Sequence, residues 1–334
     1  MLSRISSRLR STHSTTRSTR KMTVSAAPVT GRNFRLAMCQ IAQPGDGTDK
    51  SANLAHARDL VAEAVRGDSE GRKPDLVILP EIFNSPYATG MFRKYAETIG
   101  WTEEASSSFS VEQTASESVK MLSEIAKEHS IWLIGGSIPE LSDEKVYNSA
   151  PVFSPDGKLV ALHRKVHLFD IDMSPTGGIV FKESDALTGG DRLTMIETEF
   201  GKIGLGICFD IRFPELAMIA ARQGCVAMLY PSAFNLTTGP LHWDLLQRAR
   251  AVDQQIYVGM CSPARATSGN GYKAWGYSGV SDPMGKFVTQ LEEKEGVAFA
   301  DIDMSVINKA RAAIPVTVQR RFDVYDDVAE SAKV

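Results

Sequence analysis

Residues 201–208 (GKIGLGIC) alternate bulky and bare positions, with Ile203, Leu205 and Ile207 set against Gly204 and Gly206. A period of two predicts a strand whose bare face lets a neighbouring element come close. Cys208 stands at its end. Pro214 and Glu215 then open an apolar run over 216–223, read as a helix with proline in its first turn and Gly224 as its stop. The same reasoning parses the rest of the chain. Segments 35–42, 75–79, 131–138, 226–230, 256–260 and 296–302 are short apolar runs and predict strands. Segments 52–65, 111–128 and 241–251 carry helical spacing. Two runs, 146–153 and 158–163, flank Ser154-Pro155-Asp156-Gly157 and predict a hairpin, and a second hairpin turns at Asp282-Pro283-Met284-Gly285. Strands alternate with helices early and pair as hairpins later, which predicts a mixed sheet and the α/β class. No internal repeat or linker interrupts the pattern, so 34–325 reads as one domain. From about Ser305 an arm with Arg311, Arg320 and Arg321 follows, and the pattern gives it no place.

Residues 1–30 break the pattern. Arg4, Arg8, Arg10, Arg17, Arg20 and Lys21 stand among serines and threonines, and the first acidic residue is Asp46. This composition predicts a mitochondrial targeting segment, with a disordered basic tail as the alternative. Met22 offers an internal start for a cytoplasmic form. The whole chain of 334 residues is 43% apolar and 23% charged, with a net charge of −3. Nothing in that balance favours nucleic acid, and no apolar run approaches the length of a membrane span. The four cysteines, Cys39, Cys208, Cys225 and Cys261, are too scattered for a disulfide framework or a zinc site. Free thiols in a reducing compartment are expected, and no metal or organic cofactor.

Three positions carry candidate chemistry. Cys208 between a strand and a helix start suits a nucleophile near backbone N–H groups and the positive end of a helix; a buried structural thiol is the plain alternative. Glu81 follows a buried strand in LPEIFNSPY, where a carboxylate is costly unless solvated, paired or functional. Lys165 lies in LHRKVHLFDID, and His163, Lys165 and His167 share one face if that run is extended. Active residues of α/β sheets collect at one strand edge. Together the three suit amide cleavage: Cys208 as nucleophile, Glu81 as base and then acid, and Lys165 with a backbone N–H as oxyanion donors.

LPEIFNSPY, HRKVHLFDID and GLGICFDIRFPEL, in that order, resemble the three signature blocks of the nitrilase superfamily of carbon–nitrogen hydrolases. The likeness runs from about residue 34 to the C-terminus. It implies a Glu–Lys–Cys triad of Glu81, Lys165 and Cys208, a four-layer α-β-β-α sandwich, and a homodimer formed through helices beside the cysteine. It also implies a second glutamate after the lysine block, which Glu183 in FKES matches, although MSPTGGIV before it looks slightly long.

KVHLFDID, PSAFNLTTGPLHWDLLQRARAVDQQIYV and SPAR further resemble the omega-amidase branch. That resemblance implies hydrolysis of the terminal amide of 2-oxoglutaramate or 2-oxosuccinamate, giving the dicarboxylate and ammonia. Such a substrate carries a carboxylate, so a cation is expected in the pocket. Arg212 is the candidate, unless it only pairs with Asp210 or Glu215. Tyr87 is a candidate lid group, and Phe234, Thr237 and Thr238 a candidate wall. Other readings stay open: another branch (a nitrilase, a carbamoyl-amide hydrolase or a deaminated-glutathione amidase), a non-catalytic binding protein on the same fold, or a papain-like Cys–His hydrolase. The intact triad counts against the binding protein, and the sequence around Cys208 lacks the papain pattern.

Overall fold

Inside β1, Phe34–Gln40, alternation sorts the side chains: Phe34, Leu36 and Met38 face one buried layer, and Ala37 and Cys39 face another. A strand buried on both faces belongs to the middle of a layered structure. The structure, a computed structural model, describes residues 29–172, 174, 180–266 and 271–334. The predicted targeting segment therefore lies almost wholly outside the described residues, as does most of the MSPTGGIV loop.

After β1 come α1 (Lys50–Ala64), β2 (Leu76–Ile78), α2 (Thr89–Tyr95), α3 (Glu117–His129), β3 (Trp132–Ile134), β4 (Ile138–Ser142), β5 (Lys145–Phe153) and β6 (Leu159–Arg164). The small pair β7 (Asp170–Asp172) and β8 (Val180–Lys182) follows, then β9 (Thr194–Thr198), β10 (Gly201–Leu205), α4 (Pro214–Arg222), β11 (Cys225–Pro231), α5 (Thr238–Gln254) and β12 (Tyr257–Cys261). The chain closes with β13 (Gly279–Ser281), β14 (Phe287–Gln290), β15 (Gly296–Ile302) and α6 (Met304–Ala313).

One sheet runs β15-β1-β2-β3-β5-β4, with β6 also paired to β5, and the other runs β14-β13-β12-β11-β10-β9. Leu36, Met38, Leu76 and Ile78 of the first sheet meet Ile203, Leu205, Leu229 and Tyr257 of the second in a shared core. The outer face of the first sheet packs on Leu54, Leu60 and Val61 of α1 and on Val119, Leu122 and Ile125 of α3. The outer face of the second packs on Leu216 and Ile219 of α4 and Trp243 of α5. These are the four layers α-β-β-α expected above. The parallel pairs β1–β2–β3 and β10–β11–β12 lie at the centre of the two sheets, so strand ends from both open towards one region.

Several boundaries differ from expectation. Segment 131–138 is two strands, because Gly136 has φ +64° and a Cβ there would lie 2.3 Å from the Pro80 carbonyl oxygen. The helix expected from 111 begins at Glu117, where Ser116 caps it by accepting from the Val119 N–H. A separate 3-10 turn covers Val111–Gln113. The strand before Cys208 ends at Leu205 rather than at the cysteine. The arm past Ser305 begins as α6, capped by Asp303, with Met304 and Ile307 buried between the sheets. Its tail then returns over α4: Arg222 and Asp327 form a buried bidentate pair, Arg320 reaches Gln254, and the Leu193 N–H donates to the Lys333 carbonyl.

Candidate active site

Beyond β10 the backbone turns sharply. Cys208 opens a 3-10 turn, Cys208–Arg212, with φ +45°. A non-glycine residue there costs on the order of 1–2 kcal/mol and persists only when its surroundings hold it. Two features do so. Gly206 has no Cβ, which would otherwise lie 2.5 Å from the Tyr230 ring. Asp210, fully buried, accepts the Ile207 N–H at 2.8 Å. The residue after Glu81 is strained in the same way: Ile82 has φ 50°. Its N–H donates to Ser137 Oγ at 3.0 Å, and its carbonyl accepts from Gln43 Nε2 at 3.0 Å.

Lys165 follows the last residue of β6. Its N–H donates to the Asn148 carbonyl at 2.8 Å, and its own carbonyl accepts from the Gly190 N–H at 2.7 Å. The side chain runs inward to complete burial. Nζ lies 2.9 Å from Glu81 Oε1 and 2.9 Å from both carboxylate oxygens of Glu183. Glu81, Lys165 and Glu183 side chains have no exposed surface. Asn148 Nδ2 gives Glu81 Oε1 a second bond at 2.8 Å, Tyr87 Oη donates to Glu183 Oε1 at 2.7 Å, and the Phe169 N–H donates to Glu183 Oε2 at 2.7 Å. The second oxygen of Glu81 is buried without an N–H or O–H donor among the described residues.

Two carboxylates around one ammonium leave a surplus negative charge, and the electrostatics follow. Burial raises the pKa of Glu81, the like charge of Glu183 adds to this, and Lys165 opposes it, as does the Cys208 thiol acting as a donor. Burial also pushes the Cys208 thiol well up; Glu81 adds to this, while Lys165 and the Ala233 N–H favour the thiolate. For Lys165, burial acts downward, yet the attraction of Glu183 and Glu81 prevails and holds it protonated. The resting sulfur is therefore a neutral thiol. A thiolate held by the positive end of a helix is not its ground state.

Beside Cys208 lies a narrow pocket lined by Phe169, Phe209, Arg212, Phe234, Asn235, Thr238 and Tyr272. The Arg212 guanidinium sits 5.0 Å from the Phe234 ring centre and 5.6 Å from that of Phe209. Its Nη1 donates to His242 Nδ1 at 3.2 Å, and its Nε has no partner among the described residues. Neither Asp210 nor Glu215 pairs with it, and burial lowers its pKa. Of the expected wall, Phe234 and Thr238 line the pocket, whereas Thr237 is exposed and only donates its N–H to Asn235 Oδ1. Tyr87 is no surface lid: it is buried against Tyr272 and holds Glu183. His163 and His167 do not reach the thiol as a papain-like base would; both turn to Asp210. The sequence pattern does not single out Asn148, Asp210 and Tyr272 as site residues: Glu81 beside Asn148, His163 and His167 facing Asp210, and Ala233 bonded to Tyr272 all lie far away along the chain. Among the described residues, no group of three His, Cys, Asp or Glu side chains could hold a metal ion.

The chain belongs to the carbon–nitrogen hydrolases, and the model of that family matches residues 35–312. Its relatives narrow the class. Omega-amidase NIT3 of Saccharomyces cerevisiae is 48% identical over 91% of this chain and 99% of its own length. Omega-amidase NIT2 of Homo sapiens is 46% identical over 88% of this chain and 97% of its own. The crystal structure of Saccharomyces cerevisiae Nit3, described as a member of branch 10 of the nitrilase superfamily, matches with a TM-score of 0.77 and 45% identity. That match covers 89% of this chain and 100% of the yeast one.

Proposed function

We propose that this chain is an omega-amidase that hydrolyses the terminal amide of 2-oxoglutaramate or 2-oxosuccinamate through a thioester on Cys208. The observation that carries the reading is Lys165 clasped between two fully buried glutamates, with one Glu81 oxygen left without an N–H or O–H donor among the described residues and the Cys208 thiol facing that carboxylate. The length and identity of the match to named omega-amidases support the branch.

Glu81, made more basic by burial, takes the thiol proton as the sulfur attacks the amide carbon. An ammonium has three donors. Glu81 takes one and Glu183 shares another between its oxygens, so a third remains for the oxyanion. Protonated Glu81 then gives its proton to the departing ammonia. In the second half, Glu81 activates water, which attacks the thioester and releases the dicarboxylate and the free thiol. Glu183 balances the lysine charge and fixes its direction, with Tyr87 and the Phe169 N–H holding Glu183 in turn. Arg212 takes the carboxylate of the oxo-acid: it is half-buried, beside the thiol and without an acidic partner among the described residues.

The test is a panel of omega-amides, nitriles and carbamoyl amides assayed for ammonia, with acid-quenched samples weighed for an acyl group on the Cys208 peptide. Turnover of omega-amido oxo-acids with an adduct on Cys208 is expected. An adduct on Cys39, Cys225 or Cys261 instead would sink the assignment. The same reading takes residues 1–30 as a mitochondrial address, supported by arginines without acids, with Met22 as a second start for a cytoplasmic form. It takes the working unit as a homodimer through helices beside Cys208, supported by exposed Leu241, Leu245 and Val252 on α5.

A further inference from the structure

Asp210 is buried with no exposed surface, two residues beyond Cys208. One of its oxygens accepts the Ile207 N–H at 2.8 Å, on the residue just before the cysteine. The other accepts both the N–H and Nδ1 of His167 at 2.8 Å, two residues beyond Lys165. On the far side of the lysine, His163 Nε2 stands 3.5 Å from the first oxygen, and its Nδ1 meets Thr194 Oγ1 at 3.1 Å. The His167 ring is fixed again by stacking on Phe213, centroids 3.7 Å apart at 8°.

Burial alone would raise the pKa of this acid, yet the bonds from His163 and His167 and the Ile207 N–H hold it far below the usual carboxylate range. It is an anion under every working condition. An ionised carboxylate only accepts, so His167 carries its proton on Nδ1. The two His167 bonds and the Ile207 bond are charge-assisted at 2.8 Å, His163 stands farther off at 3.5 Å, and the carboxylate end of each is fully buried, which stiffens it.

We infer that Asp210, with His163 and His167, is a positioning unit that sets the register of Cys208 against Lys165. No other group among those described here accepts at once from the backbone beside the nucleophile and the backbone beside the lysine. Cys208 occupies a strained conformation, and Lys165 must point its third N–H at an atom that Cys208 attacks. A relative shift of about 1 Å between such groups costs on the order of 100-fold in rate. The unit touches neither substrate nor sulfur; it acts through the two segments it joins. The inference rests on the reading of Cys208 as nucleophile and Lys165 as oxyanion donor.

The test is Asp210→Asn, in which one oxygen becomes an amide group that cannot accept. Three quantities are read on the full chain: kcat per active site, with sites counted by acyl-enzyme mass; KM; and the alkylation rate of Cys208 by iodoacetamide at one fixed, mildly alkaline pH. Alkylation needs a competent sulfur and no lysine. The expected result is a kcat lower by about 100-fold, with KM and the alkylation rate each within about threefold of wild type. Wild-type kcat overturns the inference. So does a fall of kcat and alkylation together, which marks general damage, or a change confined to KM. Should the Asn variant be insoluble, His167→Phe keeps the stack on Phe213, removes the Nδ1 bond, and is read in the same three ways with about a tenfold fall in kcat expected. The underlying reading fails separately: wild-type enzyme that turns over without any acyl mass on Cys208 rejects the nucleophile, whatever Asp210 does.

Discussion

Two buried glutamates in this chain are handled in opposite ways. Glu97 is saturated. Its Oε1 accepts from Asn84 Nδ2 at 3.1 Å and Ser118 Oγ at 2.6 Å, and its Oε2 accepts from Ser116 Oγ at 2.6 Å and the Ser118 N–H at 3.0 Å. Lys50 adds a positive charge 3.6 Å away. Every acceptor faces a donor, and the result is a pin between the loop after Glu81 and the start of α3. Glu81 is as buried, yet among the described residues one oxygen has no N–H or O–H donor, and a second carboxylate shares its cation. Stability alone would have filled that oxygen. A carboxylate that must take up and return a proton needs an oxygen to spare. The donors left out, more than the burial, separate the working acid from the structural one.

The largest effect should come from Glu81→Gln, which keeps shape and removes the base. We expect kcat to fall by about 1,000-fold or more, within the range for general acid–base catalysis, with no thioester accumulating and no loss of melting temperature. Lys165→Met should lower kcat by about 100- to 1,000-fold, with substrate still bound. Lys165→Arg should not rescue it, because a planar guanidinium places its donors differently. If Lys165→Met raised only KM, the lysine would be a carboxylate anchor and the oxyanion role would be wrong. Glu97→Gln should do the converse of Glu81→Gln: stability falls by about 2 kcal/mol in urea titration while kcat per folded site stays near wild type. A large loss of kcat per site there would break the contrast.

Smaller effects sharpen it. Arg212→Ala should raise KM for omega-amido oxo-acids by about 10- to 100-fold and spare short neutral amides, the size of one charge-assisted contact. The pH profile gives the sign of the Glu81 shift. Its pKa is raised in the folded protein and the ionised form is the base, so activity is absent below that pKa and rises with pH through it. The acid limb of kcat/KM should thus lie above the ordinary carboxylate range, as an apparent value for the coupled cluster. A limb at the ordinary position would mean that Glu81 is not the titrating base.

Much of this architecture could be read from local pattern. The strand around Ile203 and Leu205, the hairpin at Ser154–Gly157 and the helix after Pro214 all announce themselves within a dozen residues. Glu81, Lys165, Cys208 and Glu183 were legible as blocks in order, and the fold brings the four together. What escaped depends on distance. The role of Tyr87 is set by Glu183, 96 positions away, and Asn148 reaches Glu81 across 67. Segment 131–138 reads as one apolar strand until the Pro80 backbone crosses it at Gly136. Helix α6 escaped because Met304, Ile307 and Ala310 give a helical spacing over only ten residues, and Met304 and Ile307 find their core only between the sheets.

The resting protonation of Cys208 bears on redox chemistry. Peroxides and broad electrophiles react with thiolate, and a sulfur kept as a thiol by burial and two carboxylates offers them little to attack. Cys39 and Cys261 lie deep in the protein with thiols pushed up by burial as well. Oxidation to sulfenic acid should therefore be slow in the empty protein at neutral pH. An inhibitor that labels Cys208 selectively would have to bring its own trigger: an acyl-like carbon seated between Arg212 and Lys165, able to draw the proton onto Glu81 as a substrate does.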